Sequence, residues 1–359
     1  MVSKFVRAMG LQFSGIIGAG IFALPYFLYQ SNFWGAVIGM LIITLVMAVI
    51  NIFYIQVIGN TDGDHQLPGY AQKYLGKNFK ALATISLMVA EVGTVLAYVK
   101  LGAGFIEVLW PVNTFWSVVF FLAAIIVFYL LKIKKLNIIL DYLPFVAMIM
   151  VLLLLKIAIK NPMPELNPQT FNLVFFGVGV FALTGFTVIP EMEEILRGEK
   201  KVKTKLIWAS VVGLLLALAV YMIFSYSIIK LAGNNLTEDS VTGLIKNSYL
   251  MAVILSIFGL LITFKGSINF MGVFHEIFYR DFKMTEKFSS LMAVMLPIIG
   301  LVFFNLSLGS ILGIIGAGSI FVMAIIICLM RSKLKNNYFI SSLIILIIAV
   351  FVIGFISMI

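Results

Sequence analysis

Long apolar stretches separated by short polar connections run through the whole chain of 359 residues. A transmembrane helix needs roughly 20 apolar residues, and about eleven stretches reach that length. They cover residues 5–29, 33–58, 79–109, 115–133, 136–159, 171–196, 206–231, 249–274, 288–305, 308–330 and 338–359. The pattern predicts an all-α integral membrane protein that crosses the lipid bilayer and has no separate soluble domain. After the second stretch, LPGYAQKYLG predicts a short amphipathic helix at the membrane interface.

The first stretch is interrupted by the sequence SGIIGAGIFALP at residues 14–25. Small residues crowd its first half, at Gly15, Gly18, Ala19 and Gly20, and Pro25 closes the run. Relative to alanine, a helix interior loses roughly 1 kcal/mol per glycine and about 3 kcal/mol per proline. A helix break within the hydrocarbon core of the bilayer frees backbone N–H and C=O groups that need a hydrogen-bond partner. The run therefore indicates a discontinuous helix with a polar ligand site, and a glycine-lined helix-packing face is the alternative.

The sixth stretch carries a counterpart, FGVGVFALTGFTVIPEMEE. Its GVFAL at residues 179–183 matches GIFAL at 20–24, and a proline again closes the run. Five spans separate the two stretches, and an odd offset inverts the second unit relative to the first. We therefore predict inverted repeats over residues 1–160 and 170–335, which form a ten-helix core at 1–335, and an eleventh transmembrane helix at 336–359. The pairing of the breaks favours the ligand site over the packing face.

Charge and composition narrow the function. Hydrophobic residues make up 62% of the chain, and most of its 25 lysines and arginines fall on one side of the predicted spans. Cytoplasmic loops are rich in these residues, so we expect a cytoplasmic N-terminus and an external C-terminus in a cell membrane. This distribution explains the net charge of +10 without a nucleic-acid partner. One cysteine and two separated histidines argue against a disulfide or a metal site. The sequence shows no pairing of a nucleophile with a base that would predict an enzyme.

Ionisable residues deep in apolar segments are functional candidates because intramembrane charge is costly. Glu91 lies near the centre of the third stretch, beside the small residues Gly93 and Thr94. It either lines a substrate pocket, pairs with a lysine, or makes a buried structural hydrogen bond. Lys265 lies within the eighth stretch.

Four motifs, GIIGAGIFALP, ALTGFTVIPEM, LPGYAQKYLG and HEIFYRDF, resemble the amino acid/auxin permease family. That family belongs to the amino acid–polyamine–organocation superfamily and has the LeuT fold, a 5+5 inverted repeat with discontinuous helices 1 and 6. The resemblance implies a secondary active amino acid transporter without a cofactor. It also implies that the Ala19 and Gly20 N–H groups hold the substrate carboxylate, while carbonyl groups of both breaks accept from its ammonium. The expected substrate-binding residues are Ile16, Ile17, Gly18, Ala19, Gly20, Phe181, Ala182, Thr184 and Gly185.

The resemblance also bears on energy coupling. Counting back from the end of the eighth stretch, Lys265 falls where similar transporters often have a serine or threonine that helps to bind sodium, near carbonyl groups of Gly15 and Gly18. An ammonium group there would exclude sodium, so we expect proton-coupled symport with Lys265 and Glu91 as coupling candidates. A lysine that permanently pairs two helices is the alternative. A sodium-coupled carrier and an amino-acid-sensing receptor that does not transport stay open, as do the identity of the amino acid and any protein partner.

Overall fold

The computed structural model describes residues 3–63, 65–131, 143–164, 174–303, 306–334 and 338–356. Within these ranges the regular structure is helical. In chain order the α-helices are α1 Lys4–Ile16, α2 Gly20–Gln30, α3 Phe33–Ile58, α4 Leu67–Leu75, α5 Lys77–Leu109, α6 Thr114–Leu131, α7 Leu143–Ala158, α8 Val174–Ala182, α9 Ile189–Leu196, α10 Val202–Ala232, α11 Tyr249–Glu276, α12 Glu286–Phe303, α13 Leu308–Ile314, α14 Phe321–Ser332 and α15 Tyr338–Ile356.

The helices fall on all eleven apolar stretches of the sequence. Among the described residues, seven helical spans are long and apolar enough to cross a membrane, and α1 with α2 makes an eighth as a bent pair. The shorter helices α7, α12 and α15 lie on the fifth, ninth and eleventh stretches. Residues 132–133, 136–142, 171–173, 304–305 and 357–359 of the predicted spans lie outside the described residues. The predicted amphipathic helix is α4.

The first helix is broken where the glycines cluster. The axes of α1 and α2 differ by 57°, and Ile17 between them is extended, with φ −69° and ψ 106°. The chain returns to helix at once, since the Ile21 N–H donates to the Gly18 carbonyl at 3.3 Å. Pro25 lies inside α2 and does not end it. The glycine run is therefore what breaks the helix.

The second break lies at residues 183–185. Helix α8 ends at Ala182, a 3₁₀ turn covers Phe186–Val188, and α9 follows with Pro190 in its first turn. Proline is tolerated there because the first N–H groups of a helix have no intrahelical acceptor. Both predicted breaks are present in the structure.

Glycines allow the broken helices to approach each other closely. A Cβ atom on Gly20 would lie 2.7 Å from the Cβ and 2.9 Å from the Cα of Ala182. Helix α8 also meets the tenth span without side chains between them, because Gly177 contacts the backbone of Gly313 and Gly316. That span contains a π-helical segment, Ile315–Ile320, between α13 and α14. Small residues thus bring three interrupted spans together at the centre of the molecule.

The two ends of the molecule differ in their polar contacts. On the side where α1 begins, here called the N-terminal side, the Lys4 Nζ donates to the Arg197 carbonyl at 3.0 Å. On the opposite side, the Tyr29 hydroxyl donates to Asn234 Oδ1 at 2.9 Å. There the Gly309 N–H at the start of α13 also donates to Glu238 Oε2 at 3.3 Å. These last two bonds tie the opposite-side loops to the ends of α2 and α13.

Candidate functional site

A small cavity of about 70 Å³ lies at the meeting point of the two breaks. Eight of the eleven expected substrate-binding and coupling residues line it, namely Ile16, Gly18, Ala19, Gly20, Glu91, Phe181, Ala182 and Thr184. They come from the first span, the third span and the sixth span, which are far apart in sequence. The structure thus brings the two glycine-rich motifs and the buried acid into one place.

Main-chain groups supply the polar atoms on the wall of this cavity that lies next to the helix breaks. Ala19 and Gly20 lie at the start of α2, where the first N–H groups of a helix have no acceptor within the helix. The positive end of the helix dipole is at the same point and favours an anionic group. The Ile16 carbonyl already accepts a hydrogen bond from the Tyr221 hydroxyl at 2.6 Å, although a carbonyl oxygen has a second lone pair. Donors and an acceptor therefore lie side by side.

Three expected site residues are placed differently from the rest. Ile17 lines a second, larger cavity. Gly185 lines neither cavity, because Gln12 and Ile16 pack against it where a Cβ would lie. Thr184 lines the small cavity, but its hydroxyl donates to the Val180 carbonyl at 2.7 Å. Gly185 therefore serves the close packing of the two broken helices rather than the cavity wall.

The larger cavity has a volume of about 840 Å³ and opens toward the N-terminal side. Its wall residues include His275 and Glu276, at the end of α11 on that side, and Glu191, in the first turn of α9. Lys265 lines this cavity together with Gly15 and Gly18, and it does not line the small one. Both cavities share wall residues and are therefore contiguous; the shared residues are Gly15, Gly18, Leu87, Glu91, Tyr98, Thr187 and Phe270.

Aromatic rings close the other end. The Phe22 ring lies 4.9 Å from Phe105, 5.8 Å from Phe224 and 6.3 Å from Phe258, measured between ring centroids. Phe22, Phe105 and Phe224 are fully buried. Phe22 belongs to the same short helix, α2, whose first turn lines the small cavity. The small cavity is therefore reached from the N-terminal side, and this aromatic cluster blocks the opposite side.

Sequence reasoning missed several residues of the site. Tyr98 lines both cavities, and its hydroxyl would lie 2.6 Å from a Cβ on Gly18. Gly266 on α11 contacts the other side of the same ring. Phe270 contributes a second aromatic wall, with its centroid 5.7 Å from that of Tyr98. The one available signal was spacing, because residues 91 and 98 are two helical turns apart and lie on the same face of α5.

Comparison with protein families places the chain. The model of the tryptophan/tyrosine permease family matches residues 1–359, which is the whole chain. The chain belongs to the tryptophan/tyrosine permease family. The expected grouping with LeuT-fold amino acid transporters is thus confirmed, but the matched family is not the amino acid/auxin permease family that the motifs resemble. No curated protein matches the permease by sequence.

Solved structures with a similar fold are LeuT-fold transporters. The Eremococcus coleocola manganese transporter, in complex with an aromatic bis-isothiourea compound, has a TM-score of 0.65 and 14% identity over 98% of the permease and 86% of that chain. Mhp1 in its inward-facing conformation has a TM-score of 0.62 and 15% identity over 99% and 88%. MhsT in complex with L-phenylalanine has a TM-score of 0.61 and 15% identity over 99% and 98%. At these identities the likeness shows the fold: the permease is an all-helical, multi-pass LeuT-fold transporter.

Among the described residues, no group of three or more histidine, cysteine, aspartate or glutamate side chains is placed to hold a metal ion.

Proposed function

We propose that the permease carries tryptophan or tyrosine across a cell membrane by alternating access, with the amino acid held between the two helix breaks. One observation carries this proposal: both breaks meet at a single cavity that is contiguous with a larger one open to one side. The family, and a LeuT-fold neighbour solved with L-phenylalanine, support an aromatic amino acid as the substrate.

The proposed binding mode uses the backbone for the part that all amino acids share. The substrate carboxylate accepts hydrogen bonds from the Ala19 and Gly20 N–H groups, at the positive end of α2. The ammonium group donates to carbonyl groups of the breaks. The small cavity is much smaller than the roughly 300–1,000 Å³ of typical ligand pockets. The aromatic ring therefore extends into the adjoining part of the larger cavity, beside Tyr98 and Phe270, which line both cavities.

The proposal includes an orientation. Basic residues are concentrated on the N-terminal side, which we take to be cytoplasmic. The large cavity opens to that side, and the Phe22 cluster closes the other. The structure then corresponds to a state open to the cytoplasm. Transport requires this cavity to close and the aromatic cluster to separate.

We further propose that protons drive uptake. Lys265 lines the large cavity with Gly15 and Gly18, so a cationic side chain lies close to the first break. A cation held there opposes sodium binding nearby by charge repulsion.

Uptake into proteoliposomes tests both parts. We expect labelled tryptophan or tyrosine to accumulate under an inward proton gradient without sodium. Lys265→Ala should lose accumulation but keep exchange, whereas Lys100→Ala, which changes a lysine outside both cavities, should keep both. Sodium-dependent accumulation by the unmodified protein would refute the coupling proposal. Failure to bind either amino acid would refute the substrate proposal.

A further inference from the structure

Glu91 is a buried carboxyl group whose role the backbone site does not explain. It lies on α5, its residue is 5% exposed, and its Oε2 atom has no hydrogen-bond partner among the described residues. Burying a polar group without a hydrogen bond is costly, and buried polar atoms are almost always paired. Because Glu91 lines both cavities, a ligand bound there can supply the missing donor.

The surroundings of Glu91 supply few competing donors. Leu87 and Ala90 flank it on α5, and Ile315 and Met323 belong to the same small cavity. The Thr94 hydroxyl, one turn further along, donates to the Ala90 carbonyl at 2.7 Å. Among the described residues that line the small cavity, no lysine, arginine or histidine occurs. Apart from the Thr94 hydroxyl, these neighbours of Glu91 are apolar, and Glu91 is the one carboxyl group among the described residues of the small cavity.

The distance between Glu91 and the helix break suits an aromatic amino acid. Tyr98 lies against the break at Gly18, and Glu91 is seven residues earlier on the same helix, about 10 Å along its axis. A substrate whose carboxylate is bound at the start of α2 and whose ring extends toward the large cavity brings the far end of the ring to Glu91. Phe270, which lines both cavities, provides an aromatic wall along this path.

We propose that Glu91 accepts a hydrogen bond from the polar atom of the substrate ring, the indole N–H of tryptophan or the phenol O–H of tyrosine. This assignment rests on the proposed function and names the residue that selects the ring. Tryptophan and tyrosine each carry one such donor, and phenylalanine has none. A site that is built to bind a hydroxyl or N–H group rejects the analogue without it, because the buried acceptor is then left unpaired.

Ligand pairs that differ by the one donor test this assignment. In detergent, the dissociation constants of tyrosine and phenylalanine, and of tryptophan and 1-methyltryptophan, are measured for the unmodified protein, Glu91→Gln and Glu91→Leu. We expect the unmodified protein to prefer the donor-bearing ligand of each pair by at least about tenfold. Glu91→Leu should abolish both preferences while it keeps or improves phenylalanine binding. Glu91→Gln keeps an acceptor oxygen and should keep part of the preference.

Glu107→Leu is the matched control. Glu107 lies on the same helix, its Oε1 atom is also buried without a partner among the described residues, and it lines neither cavity. Glu107→Leu should leave both ligand preferences, for tyrosine over phenylalanine and for tryptophan over 1-methyltryptophan, unchanged. Equal losses for tyrosine and phenylalanine in folded Glu91→Leu, or unchanged preferences in that variant, would overturn the assignment. If the unmodified protein binds phenylalanine but neither tryptophan nor tyrosine, the proposed substrate is wrong and this assignment fails with it.

Discussion

Phe22 is the residue whose loss should most directly open the closed side of the permease. Its ring contacts three other rings at centroid distances of 4.9, 5.8 and 6.3 Å. Aromatic pairs at such distances each contribute about 0.5–1.5 kcal/mol beyond their buried area. If the cluster separates when this side opens, Phe22→Ala removes about 3 kcal/mol from the closed state alone. Since each 1.4 kcal/mol is about a factor of ten, the open state should gain roughly a hundredfold in population.

Cysteine accessibility measures this change. The one native cysteine, Cys328, is buried in α14 and is first replaced by alanine. Thr184→Cys then places a thiol on the wall of the small cavity. A membrane-impermeant maleimide added on the side opposite the large cavity should label this thiol slowly when Phe22 is unchanged. We expect labelling at least about tenfold faster in Phe22→Ala, a conservative fraction of the population shift.

The control removes an aromatic ring that faces away from the core. Phe120 is 49% exposed on α6 and stacks on Trp116 at 6.0 Å, so Phe120→Ala should leave the labelling rate unchanged. An unchanged rate in Phe22→Ala, with the variant still folded and able to bind substrate, would show that the cluster does not form the barrier.

Three further predictions follow from the packing and the charges. In a cysteine-free background, Lys200→Cys should react with impermeant maleimide from the cytoplasmic side only, and labelling from outside would reverse the proposed orientation. Gly20→Ala should abolish substrate binding in a folded protein, because its Cβ would lie 2.9 Å from backbone, whereas Gly35→Ala, with its nearest contact at 3.5 Å, should bind normally. The hydrogen bond and charge of Lys205, 2.7 Å away, lower the pKa of the partly exposed Glu199 carboxyl. Glu199→Gln should therefore reduce the melting temperature slightly at neutral pH. A group with a depressed pKa stabilises the fold above its unfolded-state pKa, so the difference between the two proteins should vanish as the pH falls through the lowered pKa. A difference in melting temperature that persists in acid would contradict this.

The helix breaks were predictable because they depend on local sequence. Glycine and proline change backbone energies wherever they occur, so the clusters before Pro25 and Pro190 marked both interruptions. The role of each proline was less clear from sequence. Pro25 lies within α2, while Pro190 lies in the first turn of α9. Whether a proline or a glycine breaks a helix depends on whether neighbouring helices supply hydrogen-bond partners for the freed backbone groups.

The lining of the site was harder to predict because a membrane protein is apolar both in its core and on its outer surface. Helix α3 shows this, since Leu45 is 68% exposed while Met47 is completely buried. Hydrophobicity thus does not tell which face of a span turns inward. Tyr98 and Phe270 were missed for this reason, whereas Glu91 was found because an acid is unusual in either environment.

This difference has a consequence for specificity. Under the proposed binding mode, the carboxylate and the ammonium group are bound by backbone groups, which keep their chemistry when a side chain changes. The ring end is bound by side chains, among which Glu91 is the one carboxyl group of the described residues lining the small cavity. Substitutions at the ring end should therefore change which amino acid binds, whereas substitutions at Gly20 should prevent the binding of every amino acid.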